Sequence, residues 1–229
     1  KETQDLLLEL QTESADWSGA RATLGAELRA GHIPKDVHRR RDAVLALQQA
    51  KAIIDDGSDI EAREAAIAAH RLSPDLVPAA AMAARAYIAK GDTRNATRLL
   101  KKAWEHTPHP DLAAAFAEIV PDETPSERLT RFRTLTSVRP DDDETRMLLA
   151  ELNLAAEDFP AARRALGDLP MRHPTRRSLA IMAAVERGEG ADEAVVRGWL
   201  ARTLTAPRGP QWVCDKCQNI HSAWGPVCS

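Results

Sequence analysis

An all-α fold of tandem helical hairpins is what this sequence predicts, and three observations predict it. The first is spacing: Pro34, Pro74, Pro108, Pro140, Pro174 and Pro207 follow one another at 40, 34, 32, 34 and 33 residues. The second is punctuation midway between most of these prolines, at Asp56-Gly57-Ser58-Asp59, Lys90-Gly91-Asp92, Glu157-Asp158 and Gly188-Glu189-Gly190. The third is composition: 44% of the 229 residues are apolar but only 4% are aromatic. Alanine and leucine therefore carry the core. Both are strong helix formers, and small side chains let helices approach closely. The same bias disfavours strands, which prefer β-branched and aromatic residues.

A period near 34 residues that reads helix, turn, helix, proline is the organisation of a tetratricopeptide repeat. In order, the pattern predicts helix pairs at 3–14 and 17–30, 37–55 and 59–71, 76–89 and 92–106, 111–119 and 125–138, 142–156 and 158–168, and 175–187 and 191–204. The unit ending at Pro108 fits best: Tyr87 and Ala84 take the aromatic and small positions of its first helix, and Ala96, Leu100 and Ala103 the small, large and small positions of its second. The unit ending at Pro74 keeps Ala62, Ala66 and Ala69, the Pro140 unit has Phe132 but Arg128, and the Pro174 unit has Ala150, Ala162 and Leu166. Capping chemistry agrees. Thr124-Pro125-Ser126-Glu127 reads as a capping box with proline in the first turn, Ser73-Pro74-Asp75 as a second N-cap, and Asp141-Asp142-Asp143-Glu144 as negative charge at a helix start. Trp17, Trp104 and Trp199 fall at helical positions and are expected in packing. Such repeats bury a continuous core by stacking and expose a groove lined by the first helix of each pair, the expected seat of a protein partner.

Charge and ends add constraints. With 31 Lys and Arg against 34 Asp and Glu, the chain lacks the basic excess of a nucleic-acid binder. The longest apolar stretch, Leu76 to Ala84, is bounded by Asp75 and Arg85 and falls far short of the roughly 20 residues that span a bilayer. There is no initiator Met and no signal-peptide pattern, so the natural start is expected upstream. The basic run Lys35, His38, Arg39, Arg40 and Arg41 reads as a solvated helix face, with acidic lipid or an acidic partner as the sharper reading. His109 and His173 fall at repeat boundaries as loop residues. No nucleophile elbow, phosphate loop, dinucleotide fingerprint or zinc-protease motif occurs, so no catalytic residue and no enzyme activity is expected.

The last helix gives way at Ala206-Pro207-Arg208-Gly209-Pro210. The chain divides accordingly into a tetratricopeptide-like helical repeat domain at 1–206 and a partial, truncated cysteine knuckle at 207–229. Cys214, Cys217 and Cys228, spaced C-x2-C-x10-C, are the candidate metal ligands. Two thiolates on one tight turn face one metal, and a second pair completes a tetrahedron. The fourth thiolate is expected two positions past Ser229, with His221 as the substitute, and Trp212 and Trp224 are expected to pack over the module. Zinc is the first choice and iron in a rubredoxin-like site the second. A thioredoxin-type dithiol is the alternative for the pair, although no βαβ pattern surrounds it. Heme attachment through C-x-x-C-H fails because Gln218 follows Cys217.

Degenerate helical repeats followed by P-R-G-P-x-W-x-C-x-x-C…W…P-x-C, from Pro207 to Cys228, resemble the HemY-type proteins of alphaproteobacteria, with a layout also similar to LapB. The resemblance implies an inner-membrane protein associated with heme biosynthesis, anchored by transmembrane helices preceding this segment, with the repeats on the cytoplasmic side. It implies a non-catalytic scaffold whose groove binds a protein partner, with a rubredoxin-like or zinc-ribbon knuckle packed on the repeats. The alternative is a redox, electron-transfer or porphyrin-binding protein that uses an iron–thiolate knuckle.

Overall fold

The computed structural model describes residues 2–55, 59–214, 217–221 and 224–225. Among these, the chain is helical apart from one short ribbon. The helices are α1 Glu2–Glu13, α2 Trp17–Arg29, α3 Lys35–Asp55, α4 Asp59–Leu72, α5 Val77–Ala89, α6 Thr93–His106, α7 Pro110–Ala117, α8 Pro125–Thr136, α9 Asp143–Ala155, α10 Phe159–Leu166, α11 Leu169–Arg172, α12 Arg176–Gly188 and α13 Glu193–Thr203. Strands β1 Trp212–Val213 and β2 Ile220–His221 pair antiparallel, Trp212 opposite His221 and Val213 opposite Ile220. All twelve expected helices form with ends within two residues of expectation. The single turn α11 was not expected: Gly167 (φ 56°) ends α10, and Pro170 opens one further turn. Nor does composition anticipate the ribbon, a local reversal of two residues per strand.

The boundaries have a shared local cause. At the hairpin turns between α1 and α2, α5 and α6, and α9 and α10, one residue takes a left-handed conformation and the next is an Asp that caps the following helix. These pairs are Ala15-Asp16, Gly91-Asp92 and Glu157-Asp158. In each case the Asp amide also reaches back to close the preceding helix, on Gln11, Tyr87 and Asn153 carbonyls at 2.8, 2.9 and 2.9 Å. The turn between α12 and α13 uses Gly190 at φ 80° and Asp192 as cap. Only Gly91 and Gly190 adopt this backbone without a steric penalty; Ala15 and Glu157 adopt it against one of about 1 kcal/mol. Thr124 and Glu127 complete the predicted capping box, and Asp142 caps α9 through the Glu144 amide at 3.0 Å.

The described residues form two compact units, one from 2–55 and 59–107 with 214, 217–219 and 224–225, the other from 108–213 with 220–221. The division falls at Thr107-Pro108. Thr107 is extended, at φ −150° and ψ 98°, as the residue before a proline prefers. In the first unit, α1 to α6 pack each on the next. Its interior is mostly alanine, with one cluster of Ala43, Ala46, Leu47, Ala69, Leu76 and Ala79 and another of Ala50, Ala66, Ile67, Ala83 and Ala86. Trp104 is wholly buried, and Trp17 packs on Ala20, Leu24 and Leu45. In the second unit, α9 packs on α7, α8, α10 and α12, and α12 on α13. Large side chains dominate here: Phe116 meets Phe132 edge-on at 4.9 Å, and Met147, Leu166, Leu169, Ile181, Met182 and Val185 form one cluster that takes Trp199 on its edge. Gly188 is forced by packing, since a Cβ there would lie 2.1 Å from Phe159 Cδ1.

Candidate functional site

Cys214 and Cys217 lie on one closed turn. The Cys214 amide donates to the Asn219 carbonyl and the Gln218 amide to the Cys214 carbonyl, both at 2.9 Å. Gln218 sits at φ 60°, a backbone that reverses the chain at the residue after the second cysteine. Cys214 is half-buried and Cys217 exposed. Among the described residues no group of three or more His, Cys, Asp or Glu comes together to hold a metal, and Cys228 lies outside the described residues.

The two tryptophans expected over this module both have partners in the helical region. Trp212 stacks on His109, ring centroids 5.3 Å apart at 35°. His109 is also the N-cap of α7, its ring nitrogen accepting the Asp111 amide at 3.1 Å; burial holds its imidazole below the ordinary value, with Asp111 opposing. Trp224 packs against the α3–α4–α5 cluster of Ala43, Ala46, Leu47, Ala69, Leu76 and Ala79 together with Val44, Leu72 and Met82. Lys51 Nζ lies 5.1 Å from its ring centroid. Sequence reasoning missed this seat because the tail has no periodicity and the helical residues that receive it are read only as core.

The first helices of successive hairpins are neighbours within each unit: α3 touches α5, and α9 touches α12. In the second unit this face carries an ion network. Arg177 on α12 reaches Glu144 on α9 at 2.7 Å and Glu151 at 2.7 Å. Burial pushes the Glu144 carboxyl up, and Arg177 pulls in the other direction. For Arg177 burial also disfavours the charged form, but the two glutamates outweigh it and hold the guanidinium above its ordinary value. At the α9 start, Asp143 takes Arg172 at 3.3 Å and His173 at 2.7 Å, so His173 is a loop residue with a carboxylate partner. Glu123, between α7 and α8, bridges Arg128 and Arg131, and Arg131 also donates to the Phe116 carbonyl at 2.9 Å and covers both Phe116 and Phe132. In these clusters each carboxylate is matched to a guanidinium of a neighbouring element. The run Arg39 to Arg41 is exposed as expected, with Arg40 donating to Ser73 Oγ at 2.6 Å and pairing with Asp75 at 3.1 Å.

No family model matches the chain. Among curated proteins it is similar to the probable magnetosome protein Mms48 of Magnetospirillum gryphiswaldense, 27% identical over 219 residues, which is 94% of this chain and 48% of that protein. The chain thus spans about half the length of that relative. Among solved structures it resembles the P58(IPK) TPR domain, with 14% identity, 89% of this chain and 64% of that one covered, and a TM-score of 0.35; at that score nothing further is drawn from the likeness. No described helix is long and apolar enough to cross a membrane.

Proposed function

We infer that the chain is a non-catalytic protein-interaction scaffold of tetratricopeptide type, binding a protein partner along the first helices of its repeats. One observation carries this reading: successive helical hairpins put their first helices side by side, α3 with α5 and α9 with α12. That is the arrangement through which helical repeats offer an extended surface. The test is photocrosslinking from positions on that face. Benzophenone residues at the exposed Ala155 on α9 and Ala184 on α12 are expected to capture one partner, and at Arg197 on α13 none. Capture at Arg197 alone, or at none of the three, overturns the reading.

The finer assignment rests on the resemblance of Pro207 to Cys228 to HemY-type proteins. On it, residues 1–206 form the repeat domain of a membrane-anchored protein associated with heme biosynthesis, held on the cytoplasmic side of the inner membrane. Residues 207–229 form the knuckle in which Cys214, Cys217 and Cys228 hold zinc. Bound zinc there supplies a structural cross-link. Metal analysis and a visible spectrum of the protein decide: colourless zinc protein supports the scaffold, a red iron–thiolate spectrum supports the redox alternative, and a Soret shift on titration supports porphyrin binding. A second reading, a magnetosome component, is favoured by the alignment to Mms48 across 94% of the chain. Fractionation of the source cells into inner membrane and magnetosomes separates the two.

A further inference from the structure

The seat of Trp224 goes beyond packing of a tail. It lies on the α3–α4–α5 cluster, and two of these helices, α3 and α5, are the first helices of successive hairpins that the scaffold reading gives to a partner. The cluster beneath it is floored by Ala43, Ala46, Ala69 and Ala79, side chains small enough to admit a wide ring. Met82 lies at its edge, and a thioether makes favourable contacts with aromatic rings. Lys51 sets a cation over the π-face, a contact for which tryptophan is the best aromatic partner. Leu47 is wholly buried in the same cluster, and Trp224 itself is only half-buried. The ring therefore lies on a core that is already closed beneath it. It arrives on a stretch that lies beyond the proline-glycine break after the last helix.

The geometry points to an aromatic recognition slot on α3–α5 whose natural ligand is a tryptophan-bearing segment of a partner protein, with Trp224 as its resident competitor in cis. This inference rests on the scaffold reading and names the chemistry of its partner. A tethered competitor acts at an effective concentration of about 1 mM. For a free ligand whose dissociation constant is about one tenth of that concentration, it lowers apparent binding roughly tenfold.

The experiment uses the full chain and a labelled peptide of residues 219–227, Asn-Ile-His-Ser-Ala-Trp-Gly-Pro-Val, read by fluorescence polarisation. The Trp224→Ala chain is expected to bind it about tenfold more tightly than the unsubstituted chain, and to ignore the same peptide with its Trp replaced by Ala. Adding Lys51→Gln to Trp224→Ala is expected to weaken binding about two- to fivefold, the loss of one cation–π contact. Should Trp224→Ala lose its far-UV helical signal, Trp224→Leu, which keeps apolar cover without the π-face, takes its place with the same readout. Equal binding by substituted and unsubstituted chains, or no binding by either, overturns the inference. Neither result touches the crosslinks expected from Ala155 and Ala184 in the other unit, so failure here is distinguishable from failure of the scaffold reading.

Discussion

The two units solve the same packing problem with different chemistry. In the first, alanines from α3, α4 and α5 meet face to face, as with Ala50, Ala66, Ala83 and Ala86. Backbones then approach closely, and register is set by sterics. In the second, phenylalanine, leucine, isoleucine and methionine fill wider gaps, and arginine–carboxylate contacts such as Arg177 with Glu144 and Glu151, or Arg163 with Glu186 and Glu189, tie helix to helix. One repeat period therefore tolerates two kinds of interior, provided that the turns and caps are kept. Small residues leave no room for error in volume, whereas large residues with ionic struts leave little tolerance for truncation.

The sharpest way to break this contrast is truncation in the second unit. Phe132→Ala, at a residue 2% exposed, is expected to cost about 3–5 kcal/mol by urea denaturation. The opposite insult belongs to the first unit: Ala83→Leu, at a wholly buried position, is expected to cost about 1–3 kcal/mol through overpacking. Loss of less than about 0.5 kcal/mol there would show that the alanine interface has slack, and the contrast would fall.

The turns give a smaller and signed test. Gly91→Ala places a Cβ at φ 73° and is expected to cost about 1 kcal/mol. Glu157→Gly relieves the same backbone at φ 59° and is expected to gain about 0.5 kcal/mol. Thermal or urea unfolding of both reads the pair, and a loss with Glu157→Gly would mean that its side chain has another role.

The smallest effects are separated by pH. In the first unit, burial, helped by Lys102, holds His70 below its ordinary value of 6.5, and its Nδ1 is buried without a partner. The unfolded chain takes that proton first, so the stability contributed by neutral His70 is full above about pH 6.5 and is lost as pH falls through the lowered folded value. His70→Leu is expected to flatten the loss between pH 7.5 and 5.5. In the second unit, hydrogen bonds from Arg131 and then Arg128 hold Glu123 below its ordinary 4.5. Its contribution is full above about pH 4.5 and is lost as pH falls through the lowered value, so Glu123→Gln flattens the stability profile only in that lower range. Denaturant midpoints measured across both windows check the two variants.

Much of the fold was legible because helix ends are local. Asp92, Thr124 and Asp158 satisfy amide groups within three residues, so spacing and capping chemistry place the helices without knowledge of what packs on what. The Cys214–Asn219 turn is equally local, with the Cys214 amide bonded to the Asn219 carbonyl. The seat of Trp224 was not legible, because Lys51 and Met82 lie more than a hundred residues away along the chain. Nor was the Arg177 bridge, since any of several carboxylates on α9 is compatible with the sequence pattern.

By itself, then, the sequence determined the all-helical hairpin array, its period near 34 residues and the caps at Asp92, Thr124 and Asp158, though not the one expected at Ser73, since α5 starts at Val77 after an uncapped Leu76; the former follow from backbone hydrogen bonding and side-chain size over short spans. Only the tertiary structure decided where the tail's aromatics go, which carboxylates Arg177 joins, and that alanine predominates in the α3–α4–α5 clusters while larger side chains predominate in the α9–α12 cluster. Those outcomes depend on distances between residues remote in the chain, which are fixed only when the helices pack.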